Sequence, residues 1–495
     1  MNVSENYFLV SWLQDISWAT ILLVTGYALS AAVAILIISE NRTPAKTLAY
    51  LLLLFVLPYI GVLIYFVFGE NYRKRKLYKR KLIRDARSME AFSAYLVRFT
   101  KEAIREYREV IGYNVPLVRM LLRESRVPLT INNEVKLLIN GEEKFPAVLE
   151  ALHNARHHIH IEYYIFEEGE LANRVKEILI AKSREGVQVR LIYDDFGSDL
   201  SRKFLRELAE GGVQAVPFYR IYFPLFSNRH NYRNHRKIVI VDGEVGFVGG
   251  INMSDRYSNN TGFNTLYWRD THLQIKGDAV KMLQAIFLVN WNFCADDNLS
   301  LTHDYFPDTR VSSNQLVQIV YSGPDSDRAT IMLSYANAIA DAREYIYITT
   351  PYFIPNETIL NTLKLAALSG VDVRLNVPGV SDSVFVNAAA KSYYQELLEA
   401  GVKIYLYKKG FLHAKTMVAD DRLSMVGSAN MDIRSFDLNF EVNAIVYDEK
   451  LAQELKKTFL DDLADSERID LADWENRSRM VKLGESFCRL FSPIL

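Results

Sequence analysis

The sequence predicts an α/β protein of two similar lobes, each a mixed β-sheet flanked by helices, preceded by an N-terminal two-helix transmembrane hairpin. Three observations carry this prediction. Two runs without a charged residue, Trp18 to Ile38 and Leu48 to Phe68, each cover 21 residues, enough for a bilayer-crossing helix at about 1.5 Å per residue. The pattern His-x-Lys-x4-Asp occurs twice, as His235, Lys237, Asp242 and as His413, Lys415, Asp420, with the same tail each time. Finally, the order of helical and extended periodicities around the first copy repeats around the second.

A chain of 495 residues is too long for one ordinary core. Lys plus Arg total 58 and Asp plus Glu 59, so the balance carries none of the basic excess of a nucleic-acid groove, and no nucleic-acid partner is expected. Two cysteines, Cys294 and Cys488, are too few for a disulfide framework and lack metal-ligand spacing, so both read as reduced and structural.

Residues 1–72 form the expected hairpin, its spans joined by Ser39 to Thr47. A signal peptide competes for the first run, but no basic segment precedes it and a second span follows at once. Directly after the second span come Arg73, Lys74, Arg75, Lys76, Lys79, Arg80, Lys81 and Arg84, whereas residues 1–17 hold no Lys or Arg. The positive-inside bias then places the body and the N-terminus in the cytoplasm. The same cluster suits anionic membrane lipids. Residues 73–131 read as a basic helical connector, 132–310 as the first lobe and 311–495 as the second, ending in an amphipathic segment.

Within the first lobe, Phe145 to Ala155 reads as helix, His158 to Phe166 as strand, Leu171 to Arg184 as helix and Val187 to Tyr193 as strand. The second lobe repeats the order with Ile331 to Ala342, Tyr345 to Phe353, Glu357 to Leu368 and Val371 to Val377. Two stretches stand apart. Ile221 to Phe226 is aromatic and apolar and suits either an acyl-chain entrance or an ordinary buried loop. Met480, Leu483, Phe487 and Leu490 follow helical spacing among Arg477, Arg479, Lys482 and Arg489; such a helix lies in a membrane interface or, more commonly, packs on its own domain.

The β-branched runs after each His-x-Lys place both motifs at strand starts, so His235 shares a face with Lys237, and His413 with Lys415. Asp242 and Asp420 sit at odd offsets and face away, which makes a turn-fixing role the simpler account, although both stay in the candidate catalytic set with the rest of the motif. Neutral imidazole can act as nucleophile or proton shuttle near neutral pH, while lysine neutralises phosphate oxygens as charge builds. Asn252 and Asn430 add neutral donors, and the small turns at Gly249-Gly250 and Gly427-Ser428 let backbone N–H groups approach the same anion. A lysine two residues from each histidine repels a metal cation, so no metal is expected. Glu441 and Asp270, each opening an apolar run after its motif, are the candidates for holding the two rings in the right tautomer.

With its doubled His-x-Lys-x4-Asp and the Gly-Gly/Ser-x-Asn that follows, the chain resembles the phospholipase D superfamily, and more narrowly its bacterial cardiolipin synthases. Asn231 to Lys237, Phe247 to Asn252, Phe411 to Lys415, Asp432 to Glu441 and Asn41 to Lys46 between the two spans carry the resemblance. It implies two phospholipase D-like lobes and transfer of a phosphatidyl group from one phosphatidylglycerol to another, with release of glycerol. His235 would form a phosphohistidine and His413 would act as acid and then base. Lys237, Lys415, Asn252 and Asn430 would hold phosphate, with no cofactor, at a bacterial inner membrane. A hydrolase, or another headgroup exchange, would use the same residues, and the residues themselves do not say which histidine attacks.

Overall fold

The computed structural model describes residues 17–39, 44–68, 100–218, 232–259, 266–295, 297, 299, 303–326 and 328–492. The basic cluster Arg73 to Arg84, the stretch Ile221 to Phe226 and Asn41 to Thr43 lie outside them. The chain forms two compact units, the N-terminal apolar helices and the large body.

Helix α1, Trp18–Ser39, is long and apolar enough to cross a membrane. The second apolar run is not one helix. It divides into α2, Pro44–Val56, and α3, Pro58–Phe68, with a bend at Leu57. Pro58 has no N–H to donate and its ring crowds the carbonyl four residues back, so the helix breaks one residue earlier. Tyr59 closes the packing: its hydroxyl donates to the Leu22 carbonyl at 2.6 Å, and its ring lies where a side chain on Gly26 would need to be.

The body contains two sheets of matching topology. The first lobe supplies β1 (Asn133–Ile139), β2 (His158–Tyr163), β3 (Gln188–Asp194), β4 (Gln214–Phe218), β5 (Lys237–Val241), β6 (Val245–Gly249), β7 (Tyr267–Arg269) and β8 (Thr271–Gly277). Its seven-stranded sheet runs β1-β8-β6-β5-β2-β3-β4, parallel between β2, β3 and β4 and antiparallel elsewhere. The second lobe supplies β9 (Leu316–Ser322), β10 (Tyr345–Thr349), β11 (Phe353–Ile354), β12 (Asp372–Pro378), β13 (Lys403–Tyr407), β14 (Gly410–Leu412), β15 (Thr416–Ala419), β16 (Leu423–Gly427), β17 (Met431–Asp432), β18 (Glu441–Tyr447) and β19 (Ser466–Arg468). Its sheet, β9-β18-β16-β15-β10-β12-β13-β19, repeats the first strand for strand and adds β19 at one edge. The β-α-β readings hold, with helices Asn140–His153 and Glu170–Arg184 in one lobe and Thr330–Asp341 and Glu357–Leu368 in the other. The strand expected from Tyr345 to Phe353 ends at Thr349, and Phe353 joins a separate two-stranded pairing with β17.

Strands β5 and β15 lie mid-sheet and are buried throughout, which explains the Ile- and Val-rich run of β5 and the absence of charge from β15. Each ends in a tight turn at Asp242 (φ 55°) or Asp420 (φ 51°), left-handed positions that Asp tolerates better than most residues. The Asp242 carboxylate accepts the backbone N–H groups of Arg156 (2.9 Å), His157 (2.7 Å) and His158 (3.0 Å), fixing the start of β2. Asp420 does the same for Arg343 (2.8 Å), Glu344 (2.9 Å) and Tyr345 (2.8 Å), and also accepts the Tyr113 hydroxyl.

Losing three such bonds, Asp242→Ala or Asp420→Ala is expected to cost about 2 kcal/mol or more, read from the urea midpoint of the detergent-solubilised protein. A variant as stable as its parent but inactive would return these aspartates to the chemistry.

Candidate active site

The two halves of the site are assembled by exchange between the lobes. Backbone N–H of His235 donates to the Phe440 carbonyl at 2.9 Å, and Phe440 N–H returns to Arg233 at 2.8 Å. On the other side β14 pairs in parallel with β7, and His413 N–H donates to the Arg269 carbonyl at 2.7 Å. The guanidinium of Arg269 also reaches Asp462 of the second lobe at 2.7 Å, a largely buried ion pair.

The side chains cross in the same way. His235 Nδ1 lies 2.9 and 3.0 Å from the two oxygens of Glu441, a second-lobe residue. His413 Nδ1 lies 2.6 Å from Asp270 Oδ2, a first-lobe residue. Each carboxylate therefore orients the histidine of the other lobe. With Nδ1–H given to a carboxylate, Nε2 of each neutral ring keeps its lone pair.

Both rings line one cavity of about 370 Å³, together with Asn252 and Asn430. Asn252 donates to the Tyr257 hydroxyl at 2.6 Å, whereas Oδ1 of Asn430 is buried without a hydrogen-bond partner. Aromatic rings frame the histidines: Tyr164 lies 4.8 Å from His235, and Tyr257 and Trp268 lie 5.6 and 5.7 Å from His413, centroid to centroid.

Lys237 and Lys415 stand immediately behind this surface. The Lys237 ammonium donates to the His235 carbonyl at 2.7 Å, and Lys415 donates to the His413 carbonyl. Burial lowers both lysines, Lys237 well below its ordinary value and Lys415 to about 8, against the pull of Asp270 and Glu441. Burial likewise holds His235 at about 4 and His413 at about 3, the two ammonium groups acting in the same sense and the partner carboxylates opposing. Both imidazoles are therefore neutral near neutral pH.

Gly250 and Ser428 do not reach the cavity. Their N–H groups are already given to Thr271 (3.0 Å) and Val442 (2.9 Å), so neither is free for an anion, contrary to the expectation from the small turns. They serve the carboxylates instead. A side chain at Gly250 would collide with Asp270 Oδ1 at 2.2 Å, and the Ser428 hydroxyl donates to Glu441 Oε2 at 2.5 Å. Asp242 and Asp420 sit in the turns that follow their strands, and they do not line the cavity either.

The family assignment agrees with this geometry. The model of the family described as "Cardiolipin synthase, PLD-like domain" matches residues 148–288 and 335–463, one stretch in each lobe. That described as "Phospholipase_D-nuclease N-terminal" matches residues 28–70. A cardiolipin synthase of Geobacillus sp. (strain WCH70) is 42% identical over 466 residues, covering 94% of this chain and 91% of its own length. Cardiolipin synthase 2 of Bacillus anthracis is 42% identical over 459 residues, covering 92% and 88%. The chain belongs to the cardiolipin synthase family. Among solved structures, the phosphatidylserine synthase of Haemophilus influenzae Rd KW20 shares the fold, with TM-score 0.57 and 14% identity over 76% of this chain and 99% of that one.

Several residues lining this cardiolipin synthase-family cavity escaped the sequence reading as individuals: Tyr164, Arg233, Tyr352, Asp382, Asp432 and Arg434. All but Arg434 occur on one side only, so duplication does not flag them; Arg434 matches Arg256 at the repeat offset, and both line the cavity. Arg233, Asp432 and Arg434 fall inside the segments that carried the resemblance, which is the one signal Arg233 and Asp432 had. Burial pushes the Asp432 carboxyl up to about 6, against the N–H of Ser435 that it caps at 2.6 Å. Lys144 was missed too. It is fully buried, donates to the Asn252 carbonyl at 3.4 Å and sits over the Phe145 and Tyr163 rings, behind the cavity-lining Asn252.

The depressed histidines have a measurable consequence. Unfolded, each ring takes up its proton near pH 6.5; folded, His413 does so only near 3. Between these values the unfolded chain binds more protons, so the ring subtracts stability increasingly as pH falls from about 6.5. His413→Gln is therefore expected to gain stability relative to its parent between pH 7 and 4.5, measured by urea midpoints at each pH. A difference that stays constant over this range would mean that the ring titrates as in the unfolded chain.

Proposed function

We propose that the protein is a cardiolipin synthase that transfers a phosphatidyl group from one phosphatidylglycerol to the glycerol hydroxyl of another, with glycerol released. The observation that carries the mechanism is the pair of neutral imidazoles in one cavity, each fixed through Nδ1 by a carboxylate of the opposite lobe. In this reading Nε2 of His235 attacks phosphorus, forming the N–P bond as the P–O bond to glycerol breaks. His413 delivers its proton to the departing glycerol oxygen. In the second half, His413 takes the proton from the hydroxyl of the incoming phosphatidylglycerol, whose oxygen attacks phosphorus and releases His235.

His413 must carry a proton for the first step, and burial by itself opposes that. The phosphodiester supplies the missing term, because an anion within the cavity favours the charged ring by direct attraction in a low-dielectric setting. Lys237 and Lys415, close behind the rings, stabilise the charge building on the non-bridging oxygens, and Asn252 and Asn430 donate to the same atoms. Asp270 and Glu441 are positioning residues: they fix ring orientation and tautomer and stabilise the imidazolium when it forms. The order of the histidines follows the family pattern.

The protein is membrane-associated, and the finer topology belongs to this proposal: α1 and the α2–α3 pair cross the membrane as a hairpin, with the body cytoplasmic beside the basic cluster. Residues 73–131 connect them to lobes at 132–310 and 311–495. The substrates then reside in the layer to which the chain is tethered.

Purified protein given phosphatidylglycerol alone, in chelator, is expected to yield equal amounts of cardiolipin and glycerol by mass spectrometry. Phosphatidic acid with glycerol would instead make water the acceptor. His235→Ala and His413→Ala are each expected to lower turnover by at least about 10³-fold while leaving the protein folded, as read by circular dichroism. Substantial cardiolipin from either single variant would sink the two-histidine scheme.

A further inference from the structure

The C-terminal helix, Arg479–Arg489, is turned inside out. Its apolar positions Met480 (75% exposed), Leu483, Phe487 and Leu490 (74%) face solvent, whereas Glu485 (6%) faces the protein, held by Arg477 at 2.7 and 3.0 Å. Of the two arrangements the sequence left open, packing of the apolar stripe on its own domain is thus excluded. The helix is anchored instead by its polar side and its end. Arg489 lies 4.0 Å over the Tyr393 ring and pairs with Glu396 at 3.0 Å, and the Phe491 ring meets Phe385 at 5.5 Å.

Phe385 belongs to the neighbouring helix, Val384–Lys391, whose start forms part of the cavity wall. Asp382, Ser383 and Val386 line the cavity, while Val380, Val384 (86% exposed) and Phe385 point outward from the same turn. The exposed apolar surface therefore continues from the C-terminal helix to the rim of the active site. Arg479 and Lys482 flank its apolar stripe on the helix, where long basic side chains can reach anionic headgroups while the stripe is submerged.

We propose that this surface, Met480, Leu483, Phe487 and Leu490 with Val380, Val384 and Phe385, docks on an anionic phospholipid bilayer and sets the cavity mouth at headgroup level. The occupant follows from continuity with the cavity and from the flanking cations: a surface running into a site that takes bilayer lipids meets the bilayer itself. The inference rests on phosphatidylglycerol being the substrate, and it goes beyond that reading by naming a membrane contact separate from the N-terminal helices. Leu483 and Phe487 are placed in lipid, away from the reacting atoms.

The test uses the full chain with Cys294→Ser, Cys488→Ser and Leu483→Cys, labelled with an environment-sensitive fluorophore and reconstituted into vesicles of phosphatidylglycerol and phosphatidylcholine. Expected are a blue-shifted emission and strong quenching when the lipids carry bromine on the upper acyl chain. A label that stays in water, or one that is shielded without bromolipid quenching because a protein covers it, would overturn the proposal. In parallel, the double variant Leu483→Glu, Phe487→Glu is expected to lose about tenfold or more in turnover of vesicle phosphatidylglycerol. Its turnover of monomeric dihexanoyl phosphatidylglycerol should match the parent's, which separates docking from folding, and equal losses on both lipids would count against the proposal. The two readings fail separately: a parent that turns over neither lipid refutes the assigned reaction, whereas the label reports on the membrane with no turnover at all.

Discussion

The crossed pairing of His235 with Glu441 and of His413 with Asp270 is the constraint on which the rest of the body depends. A lobe by itself has a histidine with no orienting carboxylate and a carboxylate with no ring. Removing either partner from such a buried pair leaves a desolvated polar group, which is costly, so the lobes are held in one relative arrangement. The parallel β7–β14 pairing, the exchange of N–H groups between Arg233, His235 and Phe440, and the Arg269–Asp462 ion pair all reinforce that arrangement. The small residues after each motif make sense in the same frame. Gly250 leaves room for the Asp270 carboxylate, and Ser428 satisfies an oxygen of Glu441, so the two tails act through the carboxylates and not through the phosphate.

Enclosure sets the electrostatics. Two ammonium groups and two carboxylates share a desolvated centre, and burial drives the titrating members toward neutrality. In the proposed mechanism a neutral His235 is ready to attack, whereas the acid step needs an imidazolium that burial disfavours. An arriving phosphodiester would correct that deficit with its own charge. Under the proposed mechanism, substrate binding and activation of the acid would then be one event. The orphaned Oδ1 of Asn430 and the singly occurring Asp382 and Asp432 break the internal symmetry, as they must if one half receives glycerol and then a lipid in its place.

Much of this was legible because duplication makes weak signals strong. Five identities at fixed spacing, repeated, marked the histidines, lysines and asparagines, and strand parity already turned Asp242 and Asp420 away from them. The carboxylates Asp270 and Glu441 were found from their placement after each motif, but their exchange between lobes was not, since nothing in a one-dimensional pattern says which ring a strand will meet. The roles of Gly250 and Ser428 were misjudged for a related reason: a glycine beside a phosphate and a glycine beside a carboxylate look alike in sequence. At the other end of the chain, hydropathy saw one uninterrupted second span and passed over Pro58, whose effect is on backbone geometry and not on polarity.

Hydrolysis and transfer diverge only after the phosphohistidine forms, when water and a second lipid compete for it. Water is the more abundant and the smaller nucleophile, so residues at phosphorus cannot by themselves favour the lipid. What can is placement. A mouth held at headgroup level by the exposed stripe of the C-terminal helix and the rim at Val384 would present the intermediate to a layer in which the acceptor is concentrated and through which water must be displaced. On this view the His-Lys centre performs the chemistry common to phospholipase D-like enzymes, and the apolar surface around its entrance selects the outcome. That is why the catalytic residues alone do not distinguish a synthase from a hydrolase.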